Sequence, residues 1–244
     1  MPKIYLSPST QEFNPYVNGG NEEYYMNLIA DAMIPYLNAT GIEYTRNTPQ
    51  MTAASSIAAS NSGNYDLHLA LHSNAAAGDR AGRVRGSEVY YYPFSSEGQR
   101  AAEIIANNLK LIYPIPSLVK TVSTTTLGEV VRTKAPSVLI EFAYHDNVLD
   151  ADWIKSNIDE IAENVVLSLA DFFDIPFSVP TPIYTATVRT DGSNLNLRDR
   201  PTTQGNIITV IPNGMTVSVF SDYGEWSLVR YGQFTGYANN NYLV

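Results

Sequence analysis

An α/β domain built on a mostly parallel sheet with flanking helices, followed by a small all-β barrel, is the architecture this sequence predicts. Two observations carry it. Short apolar runs, among them Leu67-His68-Leu69-Ala70-Leu71 and Val138-Leu139-Ile140, alternate with stretches of helical period, which is the pattern of β-α-β units. Beyond Asp174 that period disappears, and β-branched or aromatic runs alternate with Gly, Asn and Asp turns, the pattern of a small barrel.

Ile4-Tyr5-Leu6 reads as the first strand, closed by a Ser/Pro-rich turn and the Gly19-Gly20 break. Asn21 is placed to cap a helix from Glu22 to Leu37, in which Tyr25, Leu28, Ile29, Ala32, Met33, Tyr36 and Leu37 recur at spacings of three and four. Pro35 marks where its last turn is expected to kink or end. Gly41 to Thr45 reads as a second strand and Thr52 to Ser62 as a helix. The His72 strand follows, then a strand over Gly86 to Tyr92, in which the run Tyr90-Tyr91-Tyr92 is read as packing on two faces. Ser96 and Gln99 form a capping-box pattern opening a helix to about Ile112. After the Glu141 strand, Asp150 is expected to cap one helix carrying Ile154, Ile158, Ile161, Val165, Leu169 and Phe172 on a single stripe. The expected domains are therefore residues 1–174 and 184–244, joined by a Pro-rich, semi-rigid linker over 175–183.

Composition narrows the function. There is no cysteine, which excludes disulfides, thiolate metal sites and cysteine nucleophiles. A net charge of −9 argues against sequence-independent nucleic-acid binding. No segment is long and apolar enough to span a membrane. The apolar run near the N-terminus is too short for a signal peptide, so either the chain is not exported by that route or the signal has been removed. No G-x-S-x-G turn supports a serine hydrolase.

His72 and Glu141 end two apolar strands, at the carboxyl edge where α/β enzymes build their sites. A buried carboxylate must be paired, protonated or metal-linked. With Glu23 at the start of the first helix, these residues are the right types for a zinc hydrolase, which needs imidazole or carboxylate ligands and a carboxylate base.

Four stretches in order resemble the zinc-dependent N-acetylmuramoyl-L-alanine amidases of the amidase-3 type: Glu23 through Ala30, Thr45-Arg46, Asp66 through Ala75 with its H-x-N-A, and Val138 through Glu141 continuing to Asn147. The resemblance covers about residues 3–174. It implies a Zn2+ ion bound by Glu23 and His72, with Glu141 as catalytic base. The family's opening D-P-G-H-G, whose His is the first zinc ligand, is here Leu6-Ser7-Pro8-Ser9-Thr10-Gln11. Gln11 is therefore the candidate third ligand and His145 the alternative. His68 lies roughly 13 Å from His72 along the strand, too far to share an ion with it. Arg80, Arg83 and Arg85, with Asn74, are candidates for binding the stem peptide's carboxylates.

Asn194 through Pro201, Gly214, Trp226 and Gly236-Tyr237 resemble the bacterial SH3 domain. That likeness implies cell-wall binding, with Trp226, Tyr223, Tyr237 and Tyr242 as candidate aromatics. Together the two resemblances imply a peptidoglycan hydrolase acting extracellularly at the bacterial wall, as a phage or prophage endolysin or as a truncated secreted autolysin. The alternative is a non-catalytic wall-binding protein on a degenerate amidase scaffold.

Overall fold

In the computed structural model, which describes residues 1–244, the first domain is organised by one sheet. Its strands are β1 (Lys3–Pro8), β2 (Glu43–Arg46), β3 (Leu67–Asn74), β4 (Ser87–Tyr91), β5 (Val119–Ser123) and β6 (Ser137–Tyr144), in the spatial order β2-β1-β3-β6-β4-β5. Pairs β2–β1, β1–β3 and β3–β6 are parallel. Strand β4 runs antiparallel to β6, and β5 parallel to β4. The reversal follows from the connection: residues 75–86 hold one short 3-10 turn and no crossover helix, so the chain returns in the opposite sense. The sequence showed neither β5 nor a four-residue helix α4 (Gly128–Val131), whose runs are too short for a period to register.

Helix α1 (Glu22–Thr40) starts as expected, with Asn21 Oδ1 accepting from the Tyr24 N–H at 2.8 Å. It runs through Pro35 and ends three residues beyond Leu37, at a left-handed Gly41. Burial of Ile34, Pro35 and Tyr36 holds the helix where the proline removes a hydrogen bond. Helix α2 (Ala53–Ser62) follows. Helix α3 (Ser96–Ile112) is capped by Ser95, one residue before the expected cap. The single helix expected after β6 is two, α5 (Val148–Ser156) and α6 (Ile158–Phe172), broken at Asn157. Asn147 caps α5, and Asp150 is a buried hub instead of a cap. It accepts from Arg85 Nε at 2.7 Å, the Gly86 N–H at 3.0 Å, Tyr113 OH at 2.7 Å and the Tyr144 N–H at 3.2 Å.

The second domain is a six-stranded antiparallel sheet of β7 (Tyr184–Thr187), β8 (Leu195–Arg198), β9 (Ile207–Ile211), β10 (Thr216–Tyr223), β11 (Trp226–Tyr231) and β12 (Phe234–Asn239), ordered β7-β10-β11-β12-β8-β9. A side chain at Gly236 would come within 2.6 Å of the Arg198 carbonyl, so β12 and β8 can close only over glycine. Inward residues such as Val188, Leu197, Val217, Val219 and Val229 form its core.

This domain is docked on α1. Trp226, Leu228 and Tyr237 pack with Ile34, and Tyr44 lies against them. Arg230 pairs with Asp159 at 2.7 Å and lies over the Tyr36 and Phe220 rings. Trp226 and Tyr237, only 8% and 7% exposed, serve mainly to hold the domains together, and Trp226 keeps an edge in a surface pocket beside Tyr242. Tyr223 and Tyr242 remain open to solvent.

Replacing Asp150 with Ala should cost about 3–5 kcal/mol of folding stability, because it strands the Arg85 charge and two backbone donors. Urea denaturation of both chains checks this; a loss below about 1 kcal/mol contradicts the hub role.

Candidate functional site

Register places the first elements of the site. His72 on β3 pairs with Glu141 on β6, and Glu141 pairs with Glu88 on β4. Directly paired residues on adjacent strands share a sheet face, so an imidazole and two carboxylates sit abreast near the carboxyl end of β3.

His72 is clasped from both ends. Its Nδ1 is 2.8 Å from Glu22 Oε1, and its Nε2 is 3.1 Å from Glu129 Oε2. Asn14 donates to Glu22 Oε2 at 2.6 Å, and the Ser73 N–H points at Oε1 from 3.4 Å. The other oxygen of Glu129 accepts from Ser7 Oγ at 2.5 Å and lies 3.3 Å from His68 Nε2. His68 is stacked on Tyr5, and its Nδ1 meets Ser60 Oγ at 3.0 Å. One carboxylate therefore touches both buried histidines. If Nε2–H donates to Glu129, the Nδ1 lone pair faces a carboxylate oxygen at 2.8 Å. A proton or a cation must lie between them.

Electrostatics follow from this packing. Burial opposes charge on His72, but hydrogen bonds to Glu129 and Glu22 hold its pKa well above the ordinary histidine value. Burial likewise opposes ionisation of Glu22 and Glu129, yet their hydrogen bonds to the histidines keep both below the usual carboxylate range, Glu129 far below. Glu141 has no such compensation. Its Oε2 is shut off from solvent with no hydrogen-bond partner. Burial, opposed by His72 and reinforced by Glu22 and Glu88, pushes its pKa up to about 7.

The structure sorts the sequence candidates. Gln11 reaches the site, its amide 3.3 Å from His72 Nδ1. Glu23 does not reach it: Glu22, one residue earlier, faces His72, and Glu23 lines a separate cavity together with Glu12 and Asp199. Burial, then the charges of Glu12 and Asp199, raise the Glu23 carboxyl. The helix phase decides between two adjacent glutamates, and the sequence does not show that phase to one residue. His145 is also turned away. Its Nδ1 binds the Ser73 carbonyl at 2.8 Å and its ring stacks on Tyr16. Asn74 donates to Glu88 at 3.2 Å, on the site's rim. Arg80 and Arg83 are exposed in the loop after β3. Arg85 is committed to Asp150 and is not free for a substrate carboxylate. Glu88 and Glu129 are site residues that sequence reasoning missed. No group of three or more His, Cys, Asp or Glu side chains converges in metal-ligating geometry; Glu22 and His72 face one another, with the Gln11 amide nitrogen beside them.

Residues 11–171 match the family model described as N-acetylmuramoyl-L-alanine amidase. The chain belongs to this amidase family. Residues 193–244 match the bacterial SH3 domain. Among solved structures, the amidase fold is similar to N-acetylmuramoyl-L-alanine amidase AmiC2 of Nostoc punctiforme, at 17% identity and a TM-score of 0.62, covering 71% of this chain and 97% of that one. It is similar to the catalytic domain of the amidase CwlV from Bacillus (Paenibacillus) polymyxa, at 12% identity and a TM-score of 0.61, covering 72% and 100%. It is also similar to the catalytic domain of CD27L, an endolysin targeting Clostridia difficile, at 23% identity and a TM-score of 0.58, covering 70% and 98%. At these identities the likeness is one of fold. No curated protein matches the chain.

The Glu141 shift gives the amidase domain a pH signature. Between pH 4.5, where an ordinary Glu ionises, and about 7, the unfolded chain releases this proton while the folded chain keeps it. Stability therefore falls as pH rises through that window, by at most on the order of 3 kcal/mol. In chelator-treated protein, Glu141→Gln should remove this fall. The stability difference, variant minus natural, should be larger at pH 8 than at pH 4.5 by roughly that amount. Urea titrations at the two pH values measure it, and a pH-independent difference contradicts the shift.

Proposed function

We propose that this chain hydrolyses the amide bond between N-acetylmuramic acid and L-alanine of the peptidoglycan stem peptide, using Zn2+ held by Glu22, His72 and the Gln11 amide oxygen. The observation that carries the reading is Glu141, a half-buried carboxylate with one buried, unpartnered oxygen, set beside His72 in strand register. The donor set suits the ion. An imidazole nitrogen and a carboxylate oxygen face one another across a gap that demands positive charge, and a carboxylate backs the imidazole on its far nitrogen, as zinc sites arrange their outer shell. The Gln11 amide oxygen accepts from Asn14 Nδ2 at 3.3 Å, and to bind the ion it would leave that donor and turn toward His72. When bound there, zinc supplies Lewis-acid polarisation of the scissile carbonyl and an acidified water.

The chain's own groups do the rest. Glu141 takes the proton of the attacking water and delivers it to the leaving nitrogen. Glu129 fixes the His72 ring, and Ser7 and His68 fix Glu129. Asn14 holds Glu22 in place. The SH3-like domain supports action at the bacterial wall, where the exposed Tyr223 and Tyr242 are its available aromatics. The non-catalytic alternative rests on the missing first histidine. Against it stands Glu141: a scaffold without chemistry gains nothing from burying an unpaired carboxylate oxygen.

Purified protein supplied with zinc should hold about one ion per chain, and Glu22→Ala should lose it while Glu23→Ala keeps it. Gln11→Ala should weaken zinc about 10–100-fold. Elemental analysis and zinc titration of the metal-free variants decide this. No uptake by the natural chain overturns the zinc reading, and loss in Glu23→Ala but not Glu22→Ala reverses the ligand assignment.

Glu141→Gln should keep the ion and the fold yet lower release of peptide from purified peptidoglycan by about 1,000-fold or more, since the amide cannot accept a proton. Undiminished release removes Glu141 from the mechanism.

A further inference from the structure

His145 is a buried imidazole with no part in the proposed reaction, and its contacts lie directly behind the site. The register of β3 and β6 shifts here: His72 pairs with Glu141 and Asn74 with Tyr144, so two steps along β3 face three along β6. Irregularities of this kind re-aim side chains beside active sites. Ser73 occupies the step. Its N–H points at Glu22 Oε1, the same oxygen that faces His72 Nδ1.

The other polar groups of Ser73 are held by the residue after β6 and by the loop after β1. His145 Nδ1 is 2.8 Å from the Ser73 carbonyl and 3.0 Å from Ser73 Oγ. A carbonyl only accepts, so Nδ1 carries the proton. Tyr16 OH donates to Ser73 Oγ at 2.9 Å, and the Tyr16 ring stacks on the imidazole at 5.3 Å, 16° from parallel. All three residues are buried. The backbone closes the same joint: the His145 N–H donates to the Asn74 carbonyl at 2.8 Å, and the Val17 N–H to the His145 carbonyl at 3.0 Å. The loop held in this way brings Gln11 to His72 and Asn14 to Glu22. His145 therefore joins the two segments, strand end and loop, that between them place His72, Glu22 and Gln11.

We propose that His145 is a positioning residue of this donor set: its Nδ1–H fixes the step at Ser73 and with it the contact between His72 and Glu22. As a determinant of zinc affinity the role rests on the zinc reading; as a determinant of the His72–Glu22 contact it does not.

Two variants of the full chain separate the hydrogen bond from packing. His145→Asn puts an amide N–H at the bonded position of Nδ1 and removes the ring. His145→Phe keeps a ring to stack on Tyr16 and removes the donor. Zinc titrated into metal-free protein should bind His145→Phe about 10–100-fold more weakly than the natural chain, and His145→Asn within about threefold of it. NMR of the metal-free proteins reads the His72 ring proton that bonds to a carboxylate. It should appear as a slowly exchanging downfield resonance in the natural chain and in His145→Asn, and should broaden or vanish in His145→Phe. If packing were the whole role, the order would reverse, with His145→Phe the natural-like variant. Natural zinc affinity in His145→Phe overturns the proposal, as does a ring proton that survives in it. Equal loss of affinity in both variants overturns it too, by making His145 a ligand or a mere packing residue. Should His145→Phe not fold, His145→Asn still decides, since loss of its ring proton or of its zinc affinity contradicts the role. A natural chain that takes up no zinc loses the zinc reading and leaves the ring proton to judge His145: its absence from the natural chain, or its presence in His145→Phe, sinks the proposal.

Discussion

Glu129 is the residue on which the geometry of the site depends. Its carboxylate binds His72 through one oxygen and approaches His68 and Ser7 through the other. It thereby ties the short helix α4 to strands β1 and β3 at the reacting edge. With Nε2 held, His72 can present only Nδ1 to Glu22 and Gln11. Such a network works as a unit: remove one partner and the remaining buried charges are uncompensated, at several kcal/mol. The clasp also explains why α4, only four residues long, stays ordered, since it has too few residues to be stable on its own hydrogen bonds.

The charge around His72 points the same way. Glu22, Glu129 and Glu141 crowd one imidazole, Glu88 lies beyond Glu141, and Lys120, 2.9 Å from Glu88, is the only lysine or arginine paired with any of them. A second acidic concentration lies between the domains, where Glu12, Glu23 and Asp199 meet. Helix α1 separates the two regions by one residue: Glu22 faces inward to His72 and Glu23 outward to the cavity. Adjacent helical positions differ by about 100° in direction, and the helix start uses that rotation to turn two neighbouring carboxylates to different sides.

What the sequence disclosed follows from how local its signals are. His72 and Glu141 were legible because each ends an apolar strand, and strand ends at a sheet edge follow from pattern alone. Their pairing in register was not, because it depends on long-range alignment. Glu129 sits between Gly128 and Val130 in a segment with no period, and its partner His72 is 57 residues away in the chain. Asp150 looked like a cap since Asp favours helix starts, and only the assembled fold shows four donors converging on it. Trp226 and Tyr237 matched a domain motif, but a motif does not distinguish an exposed aromatic from one that packs on another domain.

That packing changes what the second domain can do. A module on a loose linker searches for its ligand independently, and its contribution to the first domain's affinity is set by effective concentration. Here Trp226, Leu228 and Tyr237 are committed to Ile34 of α1, and Arg230 is pinned to Asp159. Undocking would expose two large aromatic side chains and break a salt bridge, so the two domains present one fixed surface. Docking leaves free the outer aromatics Tyr223 and Tyr242 and the pocket that Tyr242 shares with an edge of Trp226. A rigid surface next to a reacting edge is the kind of feature by which remote contacts lower a barrier and not merely raise affinity.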